Sequence, residues 1–438
     1  MNHGSKLSWG RYPPHPQYSH SVYWQDEIAA KLAALNNDFG TTLPFGSGRS
    51  YGDSCLSQSD HVILLTDLNR FIWIDWSSGI LRAEAGVTLQ QILQIAIPRG
   101  WFLPVSPGTR FVTLAGAIAN DVHGKNHHKV GTFGRFVRRI GLIRSDSAPQ
   151  QLSANEQPDL FRATIGGLGL TGIISWAEIQ LLPIKSSQLL VTTQRFDRLT
   201  KFFQLSDIAE ENHDYCVAWV DCVASGAHLG RGVFFAANFT DHGSLKSEPI
   251  SGLAVPVTPP ISLVNQWSLK LFNELYWRKA PTVPETKAKS YAEFFYPLDG
   301  IQNWNRIYGK AGFQQYQAVF PTNQAEDAIT EALQTIAAAG TGSVLAVLKR
   351  CGHFSSTGML SFPMQGTTLA LDFPQNNATS TLFAALDAIV REAGGRLYPA
   401  KDAHMSATDF QRSYPLWTEL ERLRDPALLS RFWKRVSQ

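Results

Sequence analysis

Cysteine is scarce in this chain: Cys55, Cys216, Cys222 and Cys351 are the only four in 438 residues, and no two form a C-x-x-C pair. That spacing argues against a disulfide framework or a structural zinc site and predicts a reducing compartment. Charge is also sparse, at 17% of residues, and nearly balanced, with 39 Lys and Arg against 36 Asp and Glu. A formal charge of +3 excludes a nucleic-acid protein held mainly by counterion release. No stretch approaches the roughly 18 apolar residues of a spanning helix, and the opening MNHGSKLSWGRYPPHPQ lacks the apolar run of a signal peptide. The expected location is therefore cytoplasmic, either free or peripheral at the inner face of the membrane.

What is present is apolar and aromatic: 44% hydrophobic residues, with 12 Trp, 12 Tyr and 25 Phe. That length exceeds one ordinary core and predicts two domains. In residues 1–185, short strand-like runs (FIWIDW, ILRAEAG, GIISWAEIQ) alternate with helical spacing at 25–38 and 88–98, the latter capped by Thr88. This reads as a mixed α/β domain. Residues 186–394 carry alternating runs (YCVAWVD, GVFFAANF, FQQYQAVF, SVLAVLKR, TTLALDF) between helical stretches. They predict an antiparallel sheet with helices on one face. Within them, 243–289 is the least regular part and reads as a mobile loop region around one helix; its apolar and basic residues also suit a membrane surface. Residues 395–438 are expected to return to the first domain.

Two glycine-rich turns carry the first chemical signal. Gly46-Ser47-Gly48-Arg49-Ser50-Tyr51-Gly52-Asp53 follows a strand-like run, and its backbone N–H groups can converge on an anion. PGTRFVTLAGAIANDVHG, residues 107–124, runs from a Pro-Gly turn into a small-residue helix near Thr113 whose start favours phosphate oxygens. Together they suggest a dinucleotide with a pyrophosphate. The formal G-x-G-x-x-G at 167–172 sits after a helix and before a strand, the reverse of the nicotinamide-binding order. Close packing against a flavin edge is the better reading there.

In HGKNHH, His123 beside Lys125 reads as a site histidine rather than a metal ligand. Strand alternation places Gln315 and Gln317 on one face and Tyr316 on the other. The two amides suit sugar hydroxyls or, alternatively, a solvated face. Lys349, in an apolar strand, and Lys401, after GGRLYPA, suit phosphate capture or a shifted pKa, the alternative being lysines snorkelling at strand ends.

The ordered set GSGRSYGD, PGTR, GAIANDVHGKNHH, GGLGLTGII, FYPLD, GFQQYQ and GGRLYPAKD resembles the vanillyl-alcohol oxidase family of flavoproteins, in its branch acting on polyprenyl-phosphate-linked pentoses. The resemblance runs from about residue 44 to the C-terminus. It implies an α+β fold: an α/β FAD-binding domain plus a substrate domain with an antiparallel sheet and flanking helices. FAD would be held on its pyrophosphate and adenine side by Pro44, Phe45, Gly46, Ser47, Gly48, Arg49, Ser50, Tyr51, Gly52, Asp53 and Ser54. Gly108, Thr109, Thr113, Leu114, Ala115, Gly116, Asn120, Asp121, Val122 and His123 would line the rest, with Ile174 and Tyr398 at the isoalloxazine. Many relatives bond the flavin covalently through a histidine in the first turn; Gly48-Arg49-Ser50 has none, so dissociable FAD is expected.

The same resemblance places His123, Lys125, Trp219, Gln315, Gln317, Lys349, Tyr398 and Lys401 in the substrate pocket. Lys401, His123 and Tyr398 are the candidates for catalysis, with Lys401 ahead of His123 to assist proton removal or stabilise the developing alkoxide. Three positions depart from the branch: Phe295 replaces a tyrosine, Thr368 an asparagine and Ala370 a cysteine. The implied reaction oxidises a secondary hydroxyl to a keto sugar by hydride transfer to flavin N5, the first half of a 2′-epimerisation that feeds arabinan precursors to a cell wall. A separate NAD(P)H-dependent short-chain reductase would complete it. Oxidation of a free aldose, alditol or small hydroxy acid is the alternative, and a non-catalytic flavin-binding protein a second one. No metal and no nucleic acid are implied.

Overall fold

The alternating runs of the C-terminal half pair into one eight-stranded antiparallel sheet. Its order across the sheet is Glu285–Ser290, Gln188–Phe196, Gly232–Phe239, Tyr215–Val220, Ala346–Cys351, Gly366–Pro374, Phe313–Pro321 and Arg396–Leu397. These strands come from a computed structural model that describes residues 6–250 and 252–438. Residues 1–5 and Ser251, the latter within the 243–289 segment, lie outside the described residues.

Period-two alternation gives the sheet two unlike faces. Tyr316, Ala318, Phe320, Leu348, Leu369, Leu371 and Phe373 bury one face with residues of the helices Ala325–Ala338 and Asn377–Glu392. The other face carries polar side chains in register. Trp219 pairs with Val347, Val347 with Ala370 and Ala370 with Gln317; Lys349 pairs with Thr368; Asp372 pairs with Gln315.

The N-terminal half contributes two smaller sheets. Tyr18–Ser21, His61–Leu64 and Leu43–Phe45 form a parallel one with His61–Leu64 in the centre. Phe71–Asp75, Ile80–Glu84, Ile173–Gln180, Val137–Ile143 and Gln150–Ser153 form an antiparallel one in that order. Helix Leu89–Ala96 starts as its sequence predicts, with Thr88 Oγ1 accepting from the Gln91 N–H and Gln91 Oε1 from the Thr88 N–H. It buries Leu89, Ile92, Leu93 and Ala96 in a core shared with Leu81, Ile118 and Ile179.

The C-terminal stretch makes contacts in both halves. Arg396–Leu397 edges the large sheet, while Leu428 bridges Thr42 and Ser430 bridges Ser57. Arg435 binds the carboxylates of Asp53 at 2.8 Å and Asp402 at 2.9 Å. The 243–289 segment is more regular than its composition predicts. It holds helix Gln266–Lys279, and from Glu285 the chain forms an edge strand, because Thr286 and its neighbours pair with Gln188–Thr193. Among the described residues, no helix is long and apolar enough to cross a membrane.

Candidate active site

A cavity of about 510 Å³ runs from the first glycine turn to the polar face of the large sheet. At its first end the walls are mostly backbone and small side chains. The turn Gly46–Tyr51 follows strand Leu43–Phe45 and meets the start of helix Leu114–Ala119, where Thr113 Oγ1 accepts from the Gly116 N–H at 3.2 Å. A Cβ on Gly46 would lie 2.5 Å from that same hydroxyl, so only glycine lets the two turns approach. Two polar atoms here are buried without a hydrogen-bond partner: Arg49 Nε and Ser54 Oγ. The Arg49 guanidinium sits 4.0 Å over the Trp9 ring, and burial pulls its pKa below the ordinary value, with Asp299 opposing. A cation and a hydroxyl left unpaired beside a glycine turn fit an anionic group such as the diphosphate of a dinucleotide. The residues present therefore suit FAD at this end.

The second end is built by long side chains. His123 follows helix Leu114–Ala119 by a short turn, and its ring lies between two side chains of the sheet, Lys349 and Gln317. Its Nδ1 meets the Lys349 ammonium, and its Nε2 is 3.2 Å from the Gln317 amide. The Gln317 atom at that distance is its amide nitrogen; because Lys349 donating to Nδ1 leaves the proton on Nε2, we assign the amide in its flipped orientation, with the oxygen accepting. The Lys401 ammonium stands 3.6 Å over the Tyr51 ring. Its loop is pinned from both sides: Tyr398 N–H donates to Gln317 O at 2.9 Å, and Tyr51 N–H to Ala400 O at 3.0 Å. Tyr398 donates its hydroxyl to Asn120 O at 3.0 Å and stacks on Phe362. Trp219 gives its indole N–H to Val344 O at 3.1 Å, leaving its ring for the cavity.

Burial sets the charges. It lowers Lys349 to about 8, and lowers Lys125 to about 7 with Lys349 and then Lys289 adding repulsion. His123 is held well below its ordinary value by burial, then by Lys349, so its imidazole is neutral. Lys401 is lowered and Asp372 raised, both by burial, while each charge partly offsets the cost of the other. Asp372 accepts from the Gln315 amide at 2.6 Å, and its second oxygen has no hydrogen-bond partner.

Most residues singled out from the sequence line this cavity: Pro44 to Tyr51, Ser54, Gly108, Thr109, Thr113, Ala115, Gly116, Asn120, Val122, His123, Lys125, Ile174, Trp219, Gln315, Gln317, Lys349, Tyr398 and Lys401. Four expected cofactor contacts lie behind its wall instead. Leu114 is packed in the core. Asp121 is consumed by the Gly134 N–H and the Ser361 hydroxyl. Asp53 is held by Arg435. Gly52 leaves only 1.6 Å between a built Cβ and the Asp402 carbonyl oxygen, so its task is backbone packing. The amides of Gln315 and Gln317 are buried on the cavity side, which removes the solvated-face alternative.

Sequence reasoning passed over Trp9, Lys289, Asp299 and Asp372. Trp9 and Lys289 reach the site through long-range pairing that no local pattern signals. Asp299 was in plain view within FYPLD; it accepts from the Arg110 N–H at 2.9 Å and joins two turns of the wall. Asp372 was legible too, since Thr368, Ala370 and Asp372 alternate onto one face of TTLALDF.

Comparisons with known proteins agree with this geometry. A family described as an FAD binding domain matches residues 24–153. A decaprenylphosphoryl-β-D-ribose oxidase of Mycolicibacterium smegmatis is 35% identical over 437 residues, covering 96% of this chain and 94% of the relative. An uncharacterized Streptomyces coelicolor protein, described as lying in the mprA 5′ region, is 31% identical over 77% of this chain and 95% of its own length. A putative D-arabinono-1,4-lactone oxidase of Neurospora crassa is 26% identical over 51% of this chain and 38% of its own. Cavity and matches together define an FAD-dependent oxidoreductase. The chain belongs to the decaprenylphosphoryl-β-D-ribose oxidase family.

Proposed function

We propose that this protein oxidises the 2′-hydroxyl of a polyprenyl-phosphate-linked ribose to a keto sugar, the first half of a 2′-epimerisation. The observation that carries this reading is the lysine group at the sheet end. Lys125, Lys349 and Lys289 all line this part of the cavity, and Lys349 and then Lys289 add to the burial that depresses Lys125. A substrate phosphodiester would offset that repulsion, which a neutral polyol could not do. FAD, when bound, supplies the acceptor for the hydride that leaves the carbinol carbon.

The chain's own residues do the rest. Lys401, kept by burial below the ordinary lysine range, accepts the hydroxyl proton in its neutral form or steadies the developing alkoxide. His123 is the weaker choice, because both ring nitrogens are engaged by Lys349 and Gln317. It acts instead as a spacer that fixes those two side chains. Gln315 and Gln317 orient sugar hydroxyls, the Trp219 ring closes the sugar's far side, and Tyr398 sets the depth at which a flat ring can lie. Residues 1–185 with 395–438 form the cofactor domain in this reading, and 186–394 the substrate domain. FAD is noncovalent, since the first turn offers Arg49 and Ser50 and no histidine. A separate NAD(P)H-dependent reductase consumes the keto sugar, which makes the pair a source of arabinan precursors.

The test is anaerobic mixing of purified yellow protein with polyprenyl-phosphoryl ribose and, separately, with free pentoses, alditols and hydroxy acids. Bleaching of the flavin band by the lipid-linked sugar alone is expected. Bleaching by free polyols alone would replace the substrate, and bleaching by nothing would reduce the protein to a flavin carrier. Acid precipitation should leave the yellow colour in the supernatant.

A further inference from the structure

Large apolar side chains are not exposed evenly over this molecule. Of the twenty-one exposed among the described residues, eleven fall between Ile250 and Val283. On helix Gln266–Lys279 they form a stripe at i, i+4 and i+8: Trp267 is 82% exposed, Leu271 64% and Leu275 61%. Val257, Ile261 and Leu263 extend the exposure into the stretch before it. This helix is firmly seated, so the stripe is a presented face and not a frayed end. Asn273 gives its amide to Asp221 at 2.7 Å, Trp277 its indole N–H to Phe196 O at 2.9 Å, and Asn265 caps the first turn. A contiguous apolar face of this kind on a soluble fold marks an interaction surface.

Its charge says what covers it. From 250 to 283 the chain carries Lys270, Arg278 and Lys279 against one carboxylate, Glu274. The helix's single carboxylate, Glu274, is taken up by Arg231 at 2.6 Å and by Arg278. Lys270 and Lys279 flank the stripe without an opposing acid on the helix. Apolar residues below and cations at the rim are the composition of an interfacial helix on anionic lipid. A second copy of this chain is a poorer occupant, since a two-fold contact would set these cations against their own kind.

We infer that the outer face of helix Gln266–Lys279, with the stretch before it, docks on an anionic bilayer and holds the cavity mouth against the lipid. The orientation follows from Tyr276. It stacks on Phe272 outside, meets the Trp219 ring edge-on at 4.8 Å inside, and lines the cavity. The docked face and the sugar end of the site therefore share one side chain, and a prenyl tail can remain in the membrane while its headgroup enters past Tyr276. This direction of entry rests on the lipid-linked substrate proposed above; the docking itself does not.

The test uses full-length, flavin-loaded protein with sucrose-loaded vesicles of phosphatidylcholine, alone and mixed with phosphatidylglycerol. Cosedimentation with the mixed vesicles is expected, weakened by salt. The double variant Trp267→Glu, Leu271→Glu should bind at least about tenfold less, with flavin content and turnover of a short-chain, detergent-dispersed prenyl-phosphoryl ribose unchanged. A second variant, Lys270→Ala with Lys279→Ala, should lose the preference for the anionic vesicles. Wild-type protein that stays in the supernatant would overturn the inference. So would a double variant that binds as well as wild type, or a wild-type dimer without vesicle binding that the double variant splits. Failure to turn over any prenyl-phosphoryl ribose would instead strike the substrate reading and leave the vesicle result standing.

Discussion

The two ends of the cavity solve different problems with different material. At the glycine-turn end, the proposed function lies in close-packed backbone: Gly46 lets its turn approach the Thr113 cap, and Arg49 Nε and Ser54 Oγ are buried without a partner. At the sheet end, it lies in side chains whose charge states are set by burial: Lys125, Lys349, Lys401, Asp372 and a neutral His123. A rigid backbone cradle suits a constant ligand, because nothing need be reorganised to bind it. Tunable side chains suit a reaction in which charge moves. Substitutions at the two ends should therefore fail in different ways.

The widest separation is expected from Lys401→Met. Turnover should fall about 10²- to 10⁴-fold while the protein stays yellow, since the ammonium touches the Tyr51 ring and not the turn backbone. Stopped-flow flavin reduction checks this, and a loss below about tenfold would return the proton to another group. Next is Gly46→Val at the other end. Its side chain must displace the Thr113 hydroxyl, so FAD should bind about tenfold or more weakly, whereas whatever fraction is loaded turns over normally. Flavin titration followed by fluorescence separates the two.

That contrast also explains what the sequence made legible. The glycine-turn end could be read because its residues are local: two short runs, 44–54 and 107–124, contain nearly all of it. The exceptions, Gly52, Asp53, Leu114 and Asp121, belong to the same runs but point into packing, a distinction that spacing along a turn does not encode. The sheet end depends on register between strands far apart in the chain. Alternation placed Gln315 and Gln317 on the right face. Only the pairing of Gln315 with Asp372, and of Lys349 with Thr368, shows which groups share the floor. The strand from Glu285 was hidden for another reason: ETKAKS has little β-propensity and is held at the edge by its neighbour.

A finer test of the sheet end concerns pH. Lys401 is lowered chiefly by burial, and the Asp372 carboxylate pulls it partly back up. If neutral Lys401 accepts the proton, kcat/KM rises as pH climbs through its pKa. Asp372→Asn removes the charge that favours the ammonium, so the rising limb should move to lower pH. An unmoved limb, measured on flavin-loaded protein, would mean that Lys401 is not the titrating group.

The smallest expected effects come from two threonines that differ only in what they face. Thr88 and Thr113 pair with each other in a short antiparallel bridge, and each caps a helix by accepting a backbone N–H at 3.2 Å. Replacing either by alanine removes one cap and should cost about 1 kcal/mol of stability, read from chemical denaturation. The hydroxyl of Thr113 sits on the cavity wall against Gly46, whereas helix Leu89–Ala96 buries its face in the core. Thr113→Ala should therefore also weaken FAD binding measurably, and Thr88→Ala should leave it unchanged. Equal flavin affinity in both variants would show that the second turn serves the fold alone and that the cradle is made by the first turn and its arginine.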